Sequence, residues 1–260
     1  MATDYLSRDE APIGADVWAL LDETMIGAAR SQLSVRRLFE IEGPYGFGLK
    51  SVPLDDRQLG EGVATSPCLP LAWLTTSFFL GKRDLAGYEY AGVPPNLGVL
   101  AEAAIMAARK EDDVLLNGTD GSTGLMNLPG AGTSPLGKWD KLGGAANDLI
   151  GAVTALDAEG FHGPYVLGLS PRRYNLLFRR YEMGGTELEH LSQMVKSIVK
   201  LPALEDGGIL VAEGRQYAAI VMGQDLSLGF VGPRVDALEF SISESLALLV
   251  REPRAIRILG

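Results

Sequence analysis

Residues 96–117 read NLGVLAEAAIMAARKEDDVLLN, and this stretch decides the fold. Its apolar residues recur every three or four positions, the spacing that puts side chains on one face of an α-helix. Pro94 and Pro95 precede the stretch and Gly118 follows it, as is typical of helix boundaries. At about 1.5 Å per residue the helix would be about 33 Å long, enough to cross a small domain. The sequence therefore predicts one long spine helix, and no catalytic signature lies on it.

The composition limits the classes of protein. With 260 residues and 47% apolar content, the chain can bury a sizeable core in one large domain or two small ones. A net charge of -10 argues against general binding to nucleic acid or to anionic membranes. The single cysteine, Cys68, excludes an intrachain disulfide and is typical of a reducing cytoplasm. We therefore expect no nucleic acid partner.

The sequence also argues against a secretory or membrane protein. Its first residues, MATDYLSRDEAP, lack the basic start and the apolar core of a signal peptide. No window approaches the ~18 consecutive apolar residues of a membrane span. We therefore expect a cytoplasmic protein with no membrane partner.

The segments before the spine helix predict a helix and a long hairpin. Residues 15–38 carry apolar side chains at helical spacing. Residues 47–54 and 68–80 read as extended arms that flank a tip rich in glycine and charge. An isolated two-stranded ribbon is marginally stable in water, so another surface is expected to cover it.

The segments after the spine helix predict a second unit. Residues 118–144, rich in small residues, form the connection into it. Two motifs are typical of helix starts. The first is Ser170-Pro171, an N-cap residue followed by proline. The second is a capping box formed by Thr186 and Glu189. The predicted helices are 145–157, 172–181 and one from 186 to about 198, and the predicted strands are 164–169, 208–213, 217–222, 236–250 and 254–259. This order predicts an α+β protein with an inserted domain.

Motifs of catalysis are missing from the sequence. His162 and His190 lie in different predicted elements and lack the spacing of metal ligands. There is no G-x-S-x-G, no P-loop and no G-x-G-x-x-G. Asp112-Asp113 is explained as charge on the exposed face of the spine helix, and Cys68 has no histidine near it in the sequence. We therefore predict no catalytic residue and no metal site.

Four segments in order carry a family resemblance. They are IEGPYG at 41–46, GPYV at 163–166 with SPRRY at 170–174, MGQDLSLGF at 222–230, and SES at 243–245 with EPRA at 252–255. In these segments the chain resembles the encapsulin family of bacterial and archaeal nanocompartment shell proteins, which share the fold of HK97-type phage capsids. The resemblance spans nearly the whole chain.

The resemblance implies an α+β, HK97 phage-capsid-like architecture. The implied parts are an N-terminal helix and arm (1–46), an extended loop over a neighbouring subunit (47–80), a peripheral domain (81–133 and 223–260) with the spine helix at 96–117, and an axial domain (134–222). It also implies a homo-oligomer closed as an icosahedral shell, about sixty copies in the simplest case. Such a subunit is a structural protein and not an enzyme.

The resemblance further implies a cargo site on the inner wall of the shell. The cargo would be an enzyme such as a ferritin-like protein or a dye-decolourising peroxidase, with roles in iron storage and oxidative stress. In the family, a short C-terminal peptide on the cargo binds the wall, and the corresponding positions here are Ala29, Leu33, Arg36, Glu40, Leu226 and Leu228. Ala29 stands where a related sequence can carry a large aromatic residue, which would make the pocket wider or shallower. The alternative is that the apolar members are ordinary core residues.

The resemblance also has implications for a pore and for a cofactor. Glu182, Met183, Gly184 and Gly185 would line the pore on the fivefold axis, where glycines leave the opening clear and a ring of glutamates favours cations. The alternative is a plain helix connection. Some relatives hold a flavin with an aromatic residue just beyond the extended loop. Residues 81–84 read GKRD here, so we predict no cofactor.

Two other functions stay open at this point. A phage major capsid protein would have the same fold, but the chain lacks an N-terminal scaffold-like charged coil and is strongly acidic. A hydrolase or protease would need a nucleophile paired with a base, and the sequence offers no credible pair.

Overall fold

The computed structural model describes residues 5–182 and 184–260, and within them six α-helices. These are α1 (Ala15–Arg30), α2 (Lys82–Ala91), α3 (Gly98–Asn117), α4 (Gly144–Ala158), α5 (Pro171–Leu176) and α6 (Glu187–Leu191). The strands are β1 (Glu40–Glu42), β2 (Ser51–Pro53), β3 (Arg57–Gly60), β4 (Val63–Thr65), β5 (Cys68–Pro70), β6 (Ala72–Gly81), β7 (Gly118–Thr119), β8 (Ser122–Thr123), β9 (Gly132–Ser134), β10 (Tyr165–Leu169), β11 (Ser197–Lys200), β12 (Gly208–Ala212), β13 (Ala218–Pro233), β14 (Ala237–Val250) and β15 (Ile256–Leu259).

The chain divides into two units, each built from separate stretches of sequence. The first contains the chain up to Leu33, Gly43–Glu111 and Val221–Ala247. The second contains Ser34–Glu42, Asp112–Ile220 and Leu248–Gly260.

The spine helix is confirmed as α3. The Asn96 side chain accepts a hydrogen bond from the Gly98 backbone N–H at 2.9 Å, which satisfies one free donor at the helix start. Gly118, at φ +80°, provides the left-handed residue at its end. One expectation about this helix was wrong, because Asp112 is buried and not on the exposed face.

The first unit packs helices against a sheet in which β13, β14 and β6 lie side by side. β6 and β14 are antiparallel, with Ala72 opposite Leu246 and Gly81 opposite Ala237. Alternate side chains of β6 therefore point into the core. That core joins α1, α2, α3 and the three strands through Val17, Leu21, Met25, Ala29, Phe78, Leu80, Leu85, Leu100, Ala103, Ala104, Ala107, Ala108, Leu228, Leu238, Phe240 and Ile242.

The predicted long hairpin is in fact two short ribbons. β2 pairs with β5, and β3 pairs with β4 nearer the tip. The predicted second arm, 68–80, is split because β6 belongs to the large sheet of the first unit. β3 and β4 are exposed along their whole length.

The second unit is built on a five-stranded sheet of order β11-β10-β12-β15-β9. Its core is formed by the helices and strands around Trp139, Leu149, Leu156, Tyr165, Leu167, Leu177, Leu191, Leu210 and Leu259. The predicted helix from 186 to about 198 was too long, because Ser197–Lys200 is strand β11, paired in parallel with β10. The predicted helix 172–181 was also too long, since α5 ends at Leu176.

Two further corrections concern helices of the first half of the chain. The predicted helix 15–38 ends at Arg30, and Val35–Leu38 forms a separate 3₁₀ turn. Helix α2 was not predicted, because it has a single buried residue, Leu85, and hence no apolar period.

The closing strand β15 pairs with β12 and β9 of the second unit. The assignment of peripheral and axial domains stays a prediction.

Candidate functional site

The apolar cluster between α1 and β13 contains four of the residues assigned to cargo binding. Ala29 is 2% exposed and Leu228 is fully buried, so both are core residues of this chain. Leu33 and Leu226 are partly buried and pack against the same cluster. The accessible apolar part of the candidate site therefore consists of Leu33 and Leu226.

Local sequence explains this arrangement. Residues four apart on α1 share one face, which places Ala29 in line with Met25 and Leu21. On β13 the side chains of Leu226, Leu228 and Phe230 alternate toward the cluster, with the exposed Asp225 pointing elsewhere. The candidate surface is thus the outer edge of a packed core.

The other two assigned residues, Arg36 and Glu40, belong to the second unit. The Glu40 carboxylate accepts a hydrogen bond from the Arg215 guanidinium at 2.6 Å. Arg36 lies in the 3₁₀ turn, where its charge opposes the rise that burial causes in the pKa of Asp112. The assignment of all six residues to cargo binding stays a prediction.

The N-terminal arm borders this surface, and sequence reasoning missed it. The Phe230 N–H donates to the Leu6 carbonyl at 2.8 Å. The Arg8 guanidinium donates to both oxygens of Asp22, at 3.2 and 2.7 Å, and lies 4.1 Å from the ring centroid of Trp18. These pairs are far apart in sequence and follow no period, so no local pattern could have indicated them.

The candidate pore loop is a tight turn between α5 and α6. Tyr181 N–H donates to the Gly185 carbonyl at 3.1 Å, and Gly184 N–H donates to the Tyr181 carbonyl at 3.0 Å. Gly184 and Gly185 have φ of +91° and +80°, which is the reason for glycine at both positions. Glu182 is exposed, and Met183 lies outside the described residues.

Hydrogen bonds at the start of α6 anchor the candidate pore loop. The predicted capping box is confirmed, with Thr186 N–H donating to Glu189 at 2.9 Å and Glu189 N–H donating to the Thr186 hydroxyl at 3.2 Å. The Tyr181 and His190 rings are stacked 4.7 Å apart. Burial raises the pKa of Tyr181, so its ring stays neutral. The pore role of the loop stays a prediction.

The buried Glu187 ties the start of α4 and the segment after α5 to the start of α6. Its carboxylate accepts from the backbone N–H groups of Gly143 and Ala145, at 2.9 and 3.3 Å, near the start of α4. Its other oxygen accepts from Arg179 at 3.0 Å. A buried carboxylate with three charge-assisted or backbone partners is satisfied and therefore structural.

Within residues 5–182 and 184–260, no three His, Cys, Asp or Glu side chains converge as a metal site. In the same residues, no helix is long and apolar enough to cross a membrane. The His162 Nδ1 atom lies 3.2 Å from the Asp157 Oδ1 atom. His190 lies in a different element, α6.

The chain is similar in fold to capsid-like particles. Its structure matches the virus-like particle of Pyrococcus furiosus with a TM-score of 0.75, at 22% identity, over 92% of this chain and 98% of that one. It matches the capsid of Myoviridae phage XM1 with a TM-score of 0.61, at 18% identity, over 87% and 91% of the two chains. The HK97-type capsid fold and its α+β class are therefore confirmed.

The sequence comparisons identify relatives over nearly the full length. The chain is 30% identical to the type 1 encapsulin shell protein EncA of Myxococcus xanthus, over 97% of this chain and 95% of the relative. It is 28% identical to a diheme-cytochrome-encapsulin shell fusion protein of Kuenenia stuttgartiensis, over 95% and 73%. It is 27% identical to a ferritin-like-encapsulin shell fusion protein of Pyrococcus furiosus, over 93% and 66%.

The family described as "Encapsulating protein for peroxidase" matches residues 3–247. These relatives are named as shell proteins, which gives the chain a structural and not a catalytic role. The chain belongs to the encapsulin family of shell proteins.

Proposed function

We propose that this chain is the shell subunit of an icosahedral encapsulin nanocompartment. About sixty copies would close the smallest such shell. The match of residues 3–247 to the family carries the proposal, together with 30% identity to a type 1 shell protein over 97% of the chain. The exposed ribbon β3–β4 supports it, because such a ribbon needs a covering surface.

The compartment would enclose a redox-active cargo in the cytoplasm. Two relatives are fusions of a shell to a ferritin-like protein and to a diheme cytochrome, and the family description names a peroxidase. A ferritin-like protein or a dye-decolourising peroxidase is therefore the cargo that we propose, with a role in iron storage or oxidative stress. Purification of particles from the native cell, followed by mass spectrometry of their contents, tests this. Particles that contain none of these cargo classes would contradict it.

The cargo tail would dock by its aliphatic side chains on the surface formed by Leu33 and Leu226. Each buried aliphatic side chain contributes roughly 1.5 to 3 kcal/mol at most, before the cost of ordering the tail. Many copies face one enclosed volume, so an oligomeric cargo with several tails gains further by effective concentration.

Small solutes would cross the shell through a pore on the fivefold axis. The turn that contains Glu182, Gly184 and Gly185 would line this pore. Support comes from the exposure of Glu182 and from the two glycines, which have no side chains that could block an opening. A ring of Glu182 side chains would favour cations over anions.

The phage capsid alternative shares the fold, as the match to phage XM1 at a TM-score of 0.61 indicates. The relatives of higher identity are encapsulin shell proteins, which favours a protein cargo. Ultraviolet absorbance of purified particles distinguishes the two, because packaged nucleic acid would dominate the absorbance at 260 nm.

A further inference from the structure

The ribbon formed by β2 to β5 joins the sheet of the first unit through two short segments, residues 46–50 and 71–73. We call these two segments together the ribbon base. The Leu71 N–H donates to the Lys50 carbonyl at 2.9 Å, and the pairing of β2 with β5 follows directly. The direction in which the ribbon leaves the sheet is therefore set at the ribbon base.

The backbone of the outgoing segment has little stiffness of its own. The Gly46 N–H donates to the Gly223 carbonyl of β13 at 2.6 Å, which ties the start of the segment to the sheet. Gly46 and Gly48 then flank Phe47 on both sides, and Gly46 has a φ of +109°. Glycine restricts the backbone less than any other residue. The course of the chain at Phe47 therefore depends on what the Phe47 side chain contacts.

Two aromatic rings contact the Phe47 ring. Trp73 meets it edge to face, with the ring centroids 5.0 Å apart. Trp73 is itself fixed by the large sheet, because its position on β6 lies opposite Ser245 of β14. Tyr5 stacks on Phe47 with the centroids 5.2 Å apart and the ring planes within 8° of parallel. Both arrangements are favourable geometries for aromatic pairs.

The residues next to Tyr5 are anchored to the body of the first unit. The Leu6 carbonyl accepts a hydrogen bond from the Phe230 N–H of β13 at 2.8 Å. The Arg8 guanidinium donates to both carboxylate oxygens of Asp22 on α1, at 3.2 and 2.7 Å. Tyr5 is thus held close to the sheet, and its ring connects the anchored N-terminal arm to the ribbon base.

We propose that the N-terminal arm is a clamp on the ribbon base of its own chain, and that Tyr5 positions the ribbon before two copies meet. The proposal rests on the proposed function, in which a second copy covers the exposed ribbon. A segment that is already held in its bound direction loses less conformational freedom on binding. The clamp therefore speeds the assembly of subunits into particles.

Hydrogen exchange followed by mass spectrometry tests the clamp in the full chain as free subunits. Tyr5 is 67% exposed, so Tyr5→Ala should leave the subunit folded. We expect it to speed exchange in peptides from the ribbon base by about two- to tenfold, the factor by which an aromatic pair shifts a local equilibrium. Peptides from α3 should exchange as in the wild type.

Two further variants control this measurement. Tyr5→Phe keeps the ring that contacts Phe47, so exchange at the ribbon base should stay at the wild-type rate. Tyr90→Ala removes another exposed tyrosine, 89% exposed on α2, and should also leave the ribbon base unchanged. Unchanged exchange in Tyr5→Ala, or equal acceleration in Tyr90→Ala, would overturn the proposal.

Light scattering during particle formation tests the role of the clamp in assembly. Tyr5→Ala subunits should assemble about two- to tenfold more slowly than the wild type, and Tyr5→Phe subunits should assemble at the wild-type rate. Wild-type assembly of Tyr5→Ala, despite faster exchange at its ribbon base, would overturn the positioning role. If wild-type subunits form no particles, the proposed function fails, and the exchange measurement alone then decides whether Tyr5 holds the ribbon base.

Discussion

Leu226 and Leu228 lie two residues apart on β13 and serve different purposes. Leu228 is fully buried in the core of the first unit, whereas Leu226 keeps part of its surface exposed. In the sequence the two look alike, because an exposed leucine in a binding groove and a core leucine have the same chemistry. The structure separates the accessible residue from the buried one, and the two should respond differently to substitution.

We expect Leu226→Asp to abolish cargo retention while particles still assemble, because a charge is placed where the tail must desolvate. Leu228→Asp should instead destabilise the subunit by several kcal/mol, since it buries an unpaired carboxylate. Val231→Asp is the control, because Val231 is 54% exposed on the same strand. Co-purification of cargo and light scattering measure both effects. Full cargo in Leu226→Asp particles would place the site elsewhere.

Arg173 joins three parts of the second unit. Its guanidinium donates to Asp206 at 2.7 Å and to the Gly137 carbonyl at 2.5 Å, and it lies 5.0 Å from the centroid of the Trp139 ring. The bond from Arg173 lowers the pKa of Asp206 from its ordinary 3.8 to about 2. The stability from this pair is therefore complete above about pH 4 and is lost as the pH falls toward 2.

We expect Arg173→Ala to lower the free energy of unfolding by about 1 kcal/mol at neutral pH, a modest value because Asp206 is 47% exposed in its side chain. The difference from wild type should shrink between pH 4 and pH 2. Urea unfolding across this range measures it. A difference that grows toward acid pH would contradict the assigned role of Asp206.

Local sequence patterns predict the helices and turns that depend only on residues close together in the chain. The spine helix has an apolar period, prolines before it and a glycine after it, and it was found as expected. The predicted end of the first helix is wrong, because a separate 3₁₀ turn begins at Val35. Asp112, which is 77 residues away in the chain, accepts a hydrogen bond from the Val35 N–H and holds this turn. The sequence predicts helix where β11 lies, because its partner β10 precedes it by some thirty residues, outside any local window. The capping box at Thr186 needed only four residues and was predicted correctly.

Asp112 should therefore be needed for the 3₁₀ turn. Its carboxylate accepts from Ser34 and Val35 N–H groups at 3.2 and 2.9 Å. Asp112→Ala leaves these buried donors unsatisfied and should cost about 1 to 3 kcal/mol. Asp113→Ala is the matched control, since Asp113 is exposed and bonds only within its own helix to Asn117 among the contacts described, and it should change stability by less than about 0.5 kcal/mol. Equal losses of thermal stability in the two variants would contradict this role.

The turn between α5 and α6 gives a test of the pore. Bulky replacements of Gly184 or Gly185 would strain a left-handed backbone, so Glu182 is the better position to change. Glu182→Lys should slow the influx of a small cation into intact particles and leave a neutral solute unaffected. Glu205→Lys is the control, as the same charge change on another exposed loop of the second unit. Stopped-flow influx of a luminescent lanthanide ion measures both, and equal rates in the two variants would argue for a plain helix connection.

At the scale of the whole molecule, the chain combines a large buried core with surfaces that one copy leaves uncovered. Two units each have their own core, and the β3–β4 ribbon and the side chains of Phe47 and Trp73 remain exposed. Composition and charge argue against nucleic acid and membranes as general partners, but they could not indicate which exposed surface meets another copy. That information depends on contacts among chains, which no pattern within one sequence contains.

The most direct test of the central claim is the mass and scattering profile of the purified protein. We predict a particle of about sixty chains, each of 27.7 kDa, whose small-angle scattering has the regular minima of a hollow sphere. A compact monomer of this length would instead have a radius of gyration near 18 Å. Monomers alone, at concentrations where family shells are intact, would contradict the account.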